Sequence, residues 1–193
     1  MVSSFVASRR FNEPFESSAA GDRLTIAAGP ATDWFADPAA GTAILNAPAL
    51  LAPVRGDFLL SACVEVEFAA SFDAGALVLW HDEWCWAKLC FEYSPDREPM
   101  VVSVVTRGSS DDCNSLTVAA HSVWLRVARV GAAYAFHAST DGRRWQFVRH
   151  FRLGGSDADA GFEAQSPTGQ GCRAAFSAIR LEAATLPDLR SGE

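Results

Sequence analysis

The sequence predicts an all-β fold, a sandwich of two antiparallel sheets packed face to face. The first reason is the hydrophobic period, which is two rather than 3.6 along much of the chain, as in Leu59–Phe68 (LLSACVEVEF). The second is spacing, because about eleven such short segments follow one another with turn residues between them. We therefore predict a single domain over residues 1–193, with ends at about 1–10 and 186–193 that fray.

Individual strands follow from local alternation and from enrichment in β-branched and aromatic residues. The best-defined segments are Asp22–Ala28, Thr42–Ala47, Leu59–Phe68, Gly75–His81, Trp84–Tyr93, Val101–Thr106, Trp124–Val130, Ala133–Thr140, Arg143–Phe151 and Cys172–Glu182. Gly131 and Ala132 lie between two of these segments and predict a tight hairpin turn.

Two polar segments are predicted as loops. Residues 29–41 (GPATDWFADPAAG) are too rich in Gly, Pro and Asp for regular structure. Within them we expect Trp34 and Phe35 to plug one end of the sandwich. Residues 107–115 (RGSSDDCNS) follow a predicted strand and are expected to form a polar turn.

Charge narrows the range of partners. The chain has 16 Lys and Arg residues against 23 Asp and Glu residues, which gives a formal net charge of −7. Phosphate backbones and anionic lipids attract clustered cations, so we expect no nucleic-acid partner and no docking on a membrane. No run approaches the roughly 18 apolar residues of a spanning helix, and the N-terminus lacks the pattern of a signal peptide.

The cysteines and histidines narrow the chemistry. Five cysteines are scattered without a C-x-x-C pair, which predicts free, mostly buried thiols and hence a reducing, cytoplasmic location. The four histidines are isolated, and no group of residues has the spacing of metal ligands. Phosphate-binding glycine loops and nucleophilic-serine motifs do not occur. We therefore predict no metal and no cofactor.

The strand Trp84–Tyr93 (WCWAKLCFEY) carries the main candidate site. Alternate side chains of a strand face opposite ways, so the odd-numbered residues from 87 to 93 form a core face. The even-numbered residues share the other face, and these are Trp86, Lys88, Cys90 and Glu92. This row suits either a ligand site or a solvated face on which Lys88 and Glu92 pair with neighbouring strands.

Several segments elsewhere in the chain form a recognisable set in a fixed order. They are TDWFADP (32–38), LNAP (45–48), FDAGALVLWHDEWCWAKLCFEY (72–93), SVVTRGSSD (103–111), STDGRRWQFVRHF (139–151) and GFEAQSPTGQG (161–171). Together they resemble DUF1349, a bacterial and fungal family of proteins of unknown function, from about Phe11 to Glu182. The resemblance implies a concanavalin A-like jelly-roll sandwich, the lectin and glucanase fold, with one convex and one concave sheet.

The resemblance implies a ligand site on the concave sheet. Trp86 would stack on a sugar ring there, and Lys88 and Glu92 would bind hydroxyl groups. The alternative for all three remains an ordinary sheet face with ion pairs between strands.

Three further residues are candidates for ligand binding. Arg107 and Asp111 follow a strand end, where binding groups are common, and the Arg107 guanidinium suits a carboxylate or vicinal hydroxyls. Gln165 ends a predicted strand just before Pro167 and points to the same sheet. For each of them a polar turn is the alternative.

Together these observations predict a protein that binds a glycan or a small sugar on the concave sheet. The first alternative is a glycoside hydrolase or lyase in which Glu92 acts with a second carboxylate, for example Glu65 or Glu67. Glucanases of this fold carry E-x-D-x-E on one strand, and this sequence lacks that motif, so binding outranks catalysis. The second alternative is a non-enzymatic interaction or regulatory module, with self-association into a homo-oligomer left open.

Overall fold

The computed structural model describes residues 2–3, 5–13, 16–155 and 157–192, which form strands and connecting segments but no helix. The strands are β1 (Val2–Ser3), β2 (Arg9–Phe11), β3 (Glu16–Ala20), β4 (Arg23–Ala28), β5 (Trp34–Ala36), β6 (Ala43–Leu45), β7 (Ala49–Pro53), β8 (Phe58–Val66), β9 (Ala74–Asp82), β10 (Cys85–Tyr93), β11 (Pro99–Arg107), β12 (Ser109–Thr117), β13 (Ser122–Val130), β14 (Ala133–Ser139), β15 (Gln146–Phe151), β16 (Asp159–Gln165) and β17 (Cys172–Glu182).

These strands build two large antiparallel sheets. The eight-stranded sheet has the order β15-β14-β13-β8-β17-β4-β3, with β1 paired to β17. The seven-stranded sheet has the order β12-β11-β10-β9-β16-β7-β2, and β5 and β6 form a separate two-stranded ribbon. The two sheets confirm the predicted all-β sandwich, and the β13–β14 hairpin turns at Gly131 and Ala132 as predicted.

The core lies between the inner faces of the two sheets, and the period-two segments supply it. Ala87, Leu89 and Phe91 of β10 are fully buried in this core, as the alternation predicted. Phe162 of β16 and Phe176 of β17 join the two sheets, with ring centroids 4.8 Å apart. The opposite side chains of β10 therefore point to the outer face of the seven-stranded sheet.

The β5–β6 ribbon covers part of that outer face. Trp34 of β5 is fully buried beneath the ribbon, and its ring centroid lies 5.0 Å from that of Trp80 and 5.8 Å from that of Trp86. The indole Nε1 of Trp34 donates a hydrogen bond to the Ala47 carbonyl at 3.0 Å. We call Trp34, Trp80 and Trp86 the tryptophan cluster.

Two segments differ from the loops predicted for them. Trp34 lies in a strand and covers the outer face of a sheet, so its prediction as a plug at the sandwich end is wrong. Pairing with β6 satisfies the backbone of this ribbon, which composition alone does not reveal. The predicted polar turn after Arg107 is also wrong, because Gly108 (φ +82) closes a tight hairpin and Ser109–Thr117 continues as an edge strand.

The C-terminal segment contacts the outer face of the eight-stranded sheet, where we expected fraying. The His137 ring donates a hydrogen bond from Nε2 to the Leu189 carbonyl at 2.7 Å. The Arg126 guanidinium donates to the Gly192 carbonyl. Near the N-terminus, Arg9–Phe11 pairs with β7.

All five cysteines are free, and Cys90 and Cys172 are buried whereas Cys113 is exposed. The part of the chain that the structure describes contains no helix long and apolar enough to cross a membrane.

Candidate functional site

A pocket of about 520 Å³ lies on the outer face of the seven-stranded sheet, beside the β5–β6 ribbon. Its charged lining residues are Asp33, Lys88, Glu92 and Asp112. Its amide and aromatic lining residues are Asn114, Gln165, Phe35 and Phe72, and Met100, Val102 and Val104 of β11 supply apolar surface. The pocket falls within the range of roughly 300–1,000 Å³ that is typical of small-molecule sites.

Lys88 is the central cation of the pocket. Its side chain is 2% exposed, and its Nζ donates hydrogen bonds to Asp33 Oδ1 at 3.2 Å and to Gln165 Oε1. Gln165 in turn donates from Nε2 to the Phe72 carbonyl at 3.1 Å. The Lys88 ammonium group therefore joins β10, β16 and the segment before β5, which are distant in sequence.

Lys88 stays protonated in this setting. Burial by itself lowers the pKa of an ammonium group, but the nearby carboxyls of Asp33 and Glu163 more than offset this, and the pKa of Lys88 is raised above its ordinary value. Asp33 is the carboxylate within hydrogen-bond reach and supplies the main counter-charge.

Glu92 differs from Asp33 in that no described residue forms a hydrogen bond or a close ion pair with its carboxyl group. Its side chain is 8% exposed and lines the pocket, yet no described side chain or amide donates a hydrogen bond to its carboxyl group. Burial raises the pKa of Glu92 to about 7, and the Lys88 charge only partly opposes that shift. A buried, unpartnered carboxyl facing open space suits a donor supplied by a ligand.

A second buried carboxyl lies behind the pocket wall. Glu163 of β16 is fully buried, and neither of its carboxyl oxygens has a hydrogen-bond partner among the described residues. Its strand neighbours are Ala76 and Ala49, which offer no polar group. Burial raises the pKa of Glu163 to about 8, with Lys88 opposing the shift.

Two phenylalanines, Phe35 and Phe72, form aromatic walls. Phe72 is 38% exposed and lines the pocket, so part of its ring is open to a ligand. It also has a positive φ of 70°, a strained conformation for a residue with a bulky side chain. Its amide donates to the Tyr93 carbonyl at 2.7 Å, so the surrounding structure holds the strained backbone in place.

The structure brings together three of the six candidate ligand-binding residues. Lys88, Glu92 and Gln165 all line the pocket. Trp86 shares their strand face, but its side chain is fully buried in the tryptophan cluster and offers no ring face to a ligand.

The other two candidates lie outside the pocket. Arg107 donates a hydrogen bond to the Arg152 carbonyl at 3.2 Å, and Asp111 forms an ion pair with Arg149 at 3.0 Å. Asp112 lines the pocket instead of Asp111 because β12 is a strand, in which neighbouring residues face opposite ways.

Sequence reasoning missed several lining residues for different reasons. The Gly108 hairpin was the available signal for Asp112, since it continues the alternation of β11 into β12 and pairs Asp112 with Val104. No local pattern indicates Asp33, which meets Lys88 across 55 residues of chain. The candidate partner carboxylates Glu65 and Glu67 do not approach Glu92, because Glu65 lies in β8 of the other sheet and Glu67 directly follows that strand.

No group of three or more His, Cys, Asp or Glu side chains in the described part of the chain is placed to hold a metal ion.

The two antiparallel sheets define a concanavalin A-like jelly-roll fold. The chain belongs to the family described as "Protein of unknown function (DUF1349)", whose profile matches residues 11–184. A functionally unknown protein from Saccharomyces cerevisiae is 23% identical, with a TM-score of 0.85 over 92% of this chain and 97% of that one. No curated protein matches the chain.

More distant structures share the fold alone. A xylan β-1,4-xylosidase from Bacillus halodurans C-125 is 12% identical, with a TM-score of 0.67 over 83% of this chain. This chain spans 32% of the length of that enzyme. The exoplasmic/lumenal domain of VIP36, in a Ca²⁺/Man3GlcNAc-bound form, is 8% identical, with a TM-score of 0.56 over 93% of this chain and 90% of that domain.

Proposed function

We propose that the protein binds a small carbohydrate in the pocket on the outer face of the seven-stranded sheet. The observation that carries the proposal is Glu92, a buried carboxyl group that lines the pocket and accepts no hydrogen bond from the described residues. A buried acceptor without a donor costs free energy, and a ligand hydroxyl group would supply that donor.

The remaining lining residues fit a sugar. The exposed ring of Phe72 offers an apolar plane for the C–H face of a pyranose, the role we expected of Trp86. Asn114 and Gln165 add amide groups that can donate to and accept from hydroxyl groups. Lys88 acts through Asp33 and Gln165, holding both side chains in place.

The comparisons support this class of ligand at the level of the fold. Of the two more distant structures, the first is named as a xylosidase and the second was solved with Man3GlcNAc bound, and each contains a sandwich similar to this one. Their low identity carries no residue-level argument.

The test is an NMR titration of the labelled protein with a panel of methyl glycosides. We expect shifts at amides around the pocket, and Glu92→Gln should weaken binding about tenfold because it loses a charge-assisted hydrogen bond. Phe72→Ala should weaken binding about fivefold through lost stacking.

The control is Glu65→Gln, which makes the same chemical change on the outer face of the other sheet, where Glu65 pairs with Arg23. It should bind like the wild type. Binding that is insensitive to both pocket variants, or no shift with any glycoside at millimolar concentration, would overturn the proposal.

Hydrolysis of a glycosidic bond is the second candidate. The observation that favours it is a carboxyl group, Glu92, whose pKa of about 7 suits a general acid at neutral pH, in one pocket with Asp112. Release of a reducing sugar from aryl glycosides, lost in both Glu92→Gln and Asp112→Asn, would support it. Glycoside binding without any product release would reject it.

A further inference from the structure

The pocket carries an excess of negative charge. Of its four charged lining residues, Asp33, Glu92 and Asp112 are acidic and Lys88 alone is basic. Glu163 adds little to this charge at neutral pH, because burial raises its pKa to about 8. A concave site lined mainly by charges of one sign focuses their electrostatic field on a bound ligand.

The single lining cation is not free to meet a ligand. The Lys88 ammonium donates to Asp33 and to Gln165, and its side chain is 2% exposed. Asp33 therefore neutralises Lys88 locally, and the groups left facing the open pocket are the carboxyls of Glu92 and Asp112.

The nearby arginines do not change this balance. Arg149 forms its ion pair with Asp111 at 3.0 Å, on the face of β12 opposite to Asp112. Arg107 bonds to the Arg152 carbonyl. Neither side chain lines the pocket.

We propose that the pocket selects a sugar carrying an ammonium group over the neutral sugar, and the neutral sugar over a sugar acid. This inference rests on the proposed carbohydrate site and names the charge class of its ligand. Glu92 and Asp112 would pair with the ammonium group, and the rings of Phe35 and Phe72 would stabilise it by cation–π contact.

The experiment compares three methyl glycosides that differ only at C6: the 6-amino-6-deoxyglucoside, the glucoside and the glucuronide. A matched galacto series repeats the comparison with the other configuration at C4. Binding is measured by NMR titration of the full chain at about pH 7.5, where an aliphatic amine stays protonated. We expect the amino sugar to bind at least about tenfold more tightly than the uronic acid, as for one added favourable charge contact.

Two neighbouring residues give a matched pair of variants. Asp112→Asn and Asp111→Asn make the same change in net charge, one residue apart and on opposite faces of β12. Asp112→Asn should narrow the ratio between amino sugar and uronic acid, and Asp111→Asn should leave it unchanged.

The outcomes separate the two proposals. If the uronic acid binds as tightly as the amino sugar or more tightly, the charge selectivity is overturned and the carbohydrate site stands. The same holds if Asp112→Asn and Asp111→Asn have equal effects. Absence of binding by every member of both series overturns the carbohydrate site and the selectivity with it.

Discussion

Trp86 and Glu92 stand at the two ends of one row of side chains on β10, yet they have opposite roles. Both face outward from the same sheet, and both are buried, at 0% and 8% exposed. Trp86 lies beneath Trp34 with its ring centroid 5.8 Å away. Glu92 lines an open pocket.

The difference comes from another part of the chain. The β5–β6 ribbon covers the Trp86 end and stops short of Glu92, so the ribbon and not β10 determines where a ligand can enter. The same strand face thus serves as a second apolar core at one end and as a candidate site at the other.

Truncating Trp34, through which the β5–β6 ribbon covers Trp80 and Trp86, should have the largest effect on stability. Trp34→Ala leaves a cavity over Trp80 and Trp86 and removes the hydrogen bond to the Ala47 carbonyl. We expect the free energy of unfolding to fall by about 3–5 kcal/mol, measured by urea denaturation. Trp84→Ala, at a tryptophan 57% exposed on a turn, should cost less than about 1 kcal/mol.

Equal losses in the two tryptophan variants would mean that the ribbon does not stabilise the covered end.

We call the part of β10 where Lys88 and Glu92 line the pocket the open end. The stability of this end should depend on the charge of Lys88 and not on a covering ribbon. Lys88→Met leaves Asp33 without its ammonium partner, and removing one member of a buried pair costs about 3 kcal/mol. The loss should shrink as the pH falls below about 7, because Glu92 and Glu163, whose charged forms Lys88 stabilises, become protonated. Arg173→Met, which breaks the exposed pair with Glu16, should lower the free energy of unfolding far less than Lys88→Met, because solvent screens an exposed ion pair.

A pH-independent loss in Lys88→Met would show that packing of the lysine stem, rather than its charge, stabilises the open end.

Much of the fold followed from the period of the sequence, whereas the site followed only in part. Alternation in β10 assigned Leu89 to the core and Lys88 to the outer face, because strand geometry is local. The roles of Trp86 and Asp33 depend on where residues 34–36 lie in space. That position is set by tertiary contacts between distant segments, which no local pattern encodes.

Glu163 links the open end to pH. Its pKa is raised to about 8, and that of Glu92 to about 7, from an ordinary value of 4.5. Between pH 4.5 and about 8, the folded state holds protons on these two carboxyl groups that the unfolded chain has released. The free energy of unfolding should therefore fall as the pH rises through this range.

Glu163→Gln removes the larger contribution to that slope. The stability of the variant relative to the wild type should rise by about 1–3 kcal/mol between pH 4.5 and 8, measured by urea denaturation at each pH. Glu65→Gln, at a side chain 51% exposed, should leave the slope unchanged. A wild-type slope retained in Glu163→Gln would assign the titration to other groups.

The smallest effect should come from Arg107. It lies in β11 on the same sheet as the pocket, and the sequence alone made it as good a candidate for binding as Gln165. In the fold its guanidinium reaches the Arg152 carbonyl and does not line the pocket. Arg107→Ala should therefore leave glycoside affinity unchanged and alter the free energy of unfolding by about 0.5 kcal/mol or less. A tenfold loss of affinity in this variant would mean that the ligand extends beyond the pocket and along the edge of the sheet.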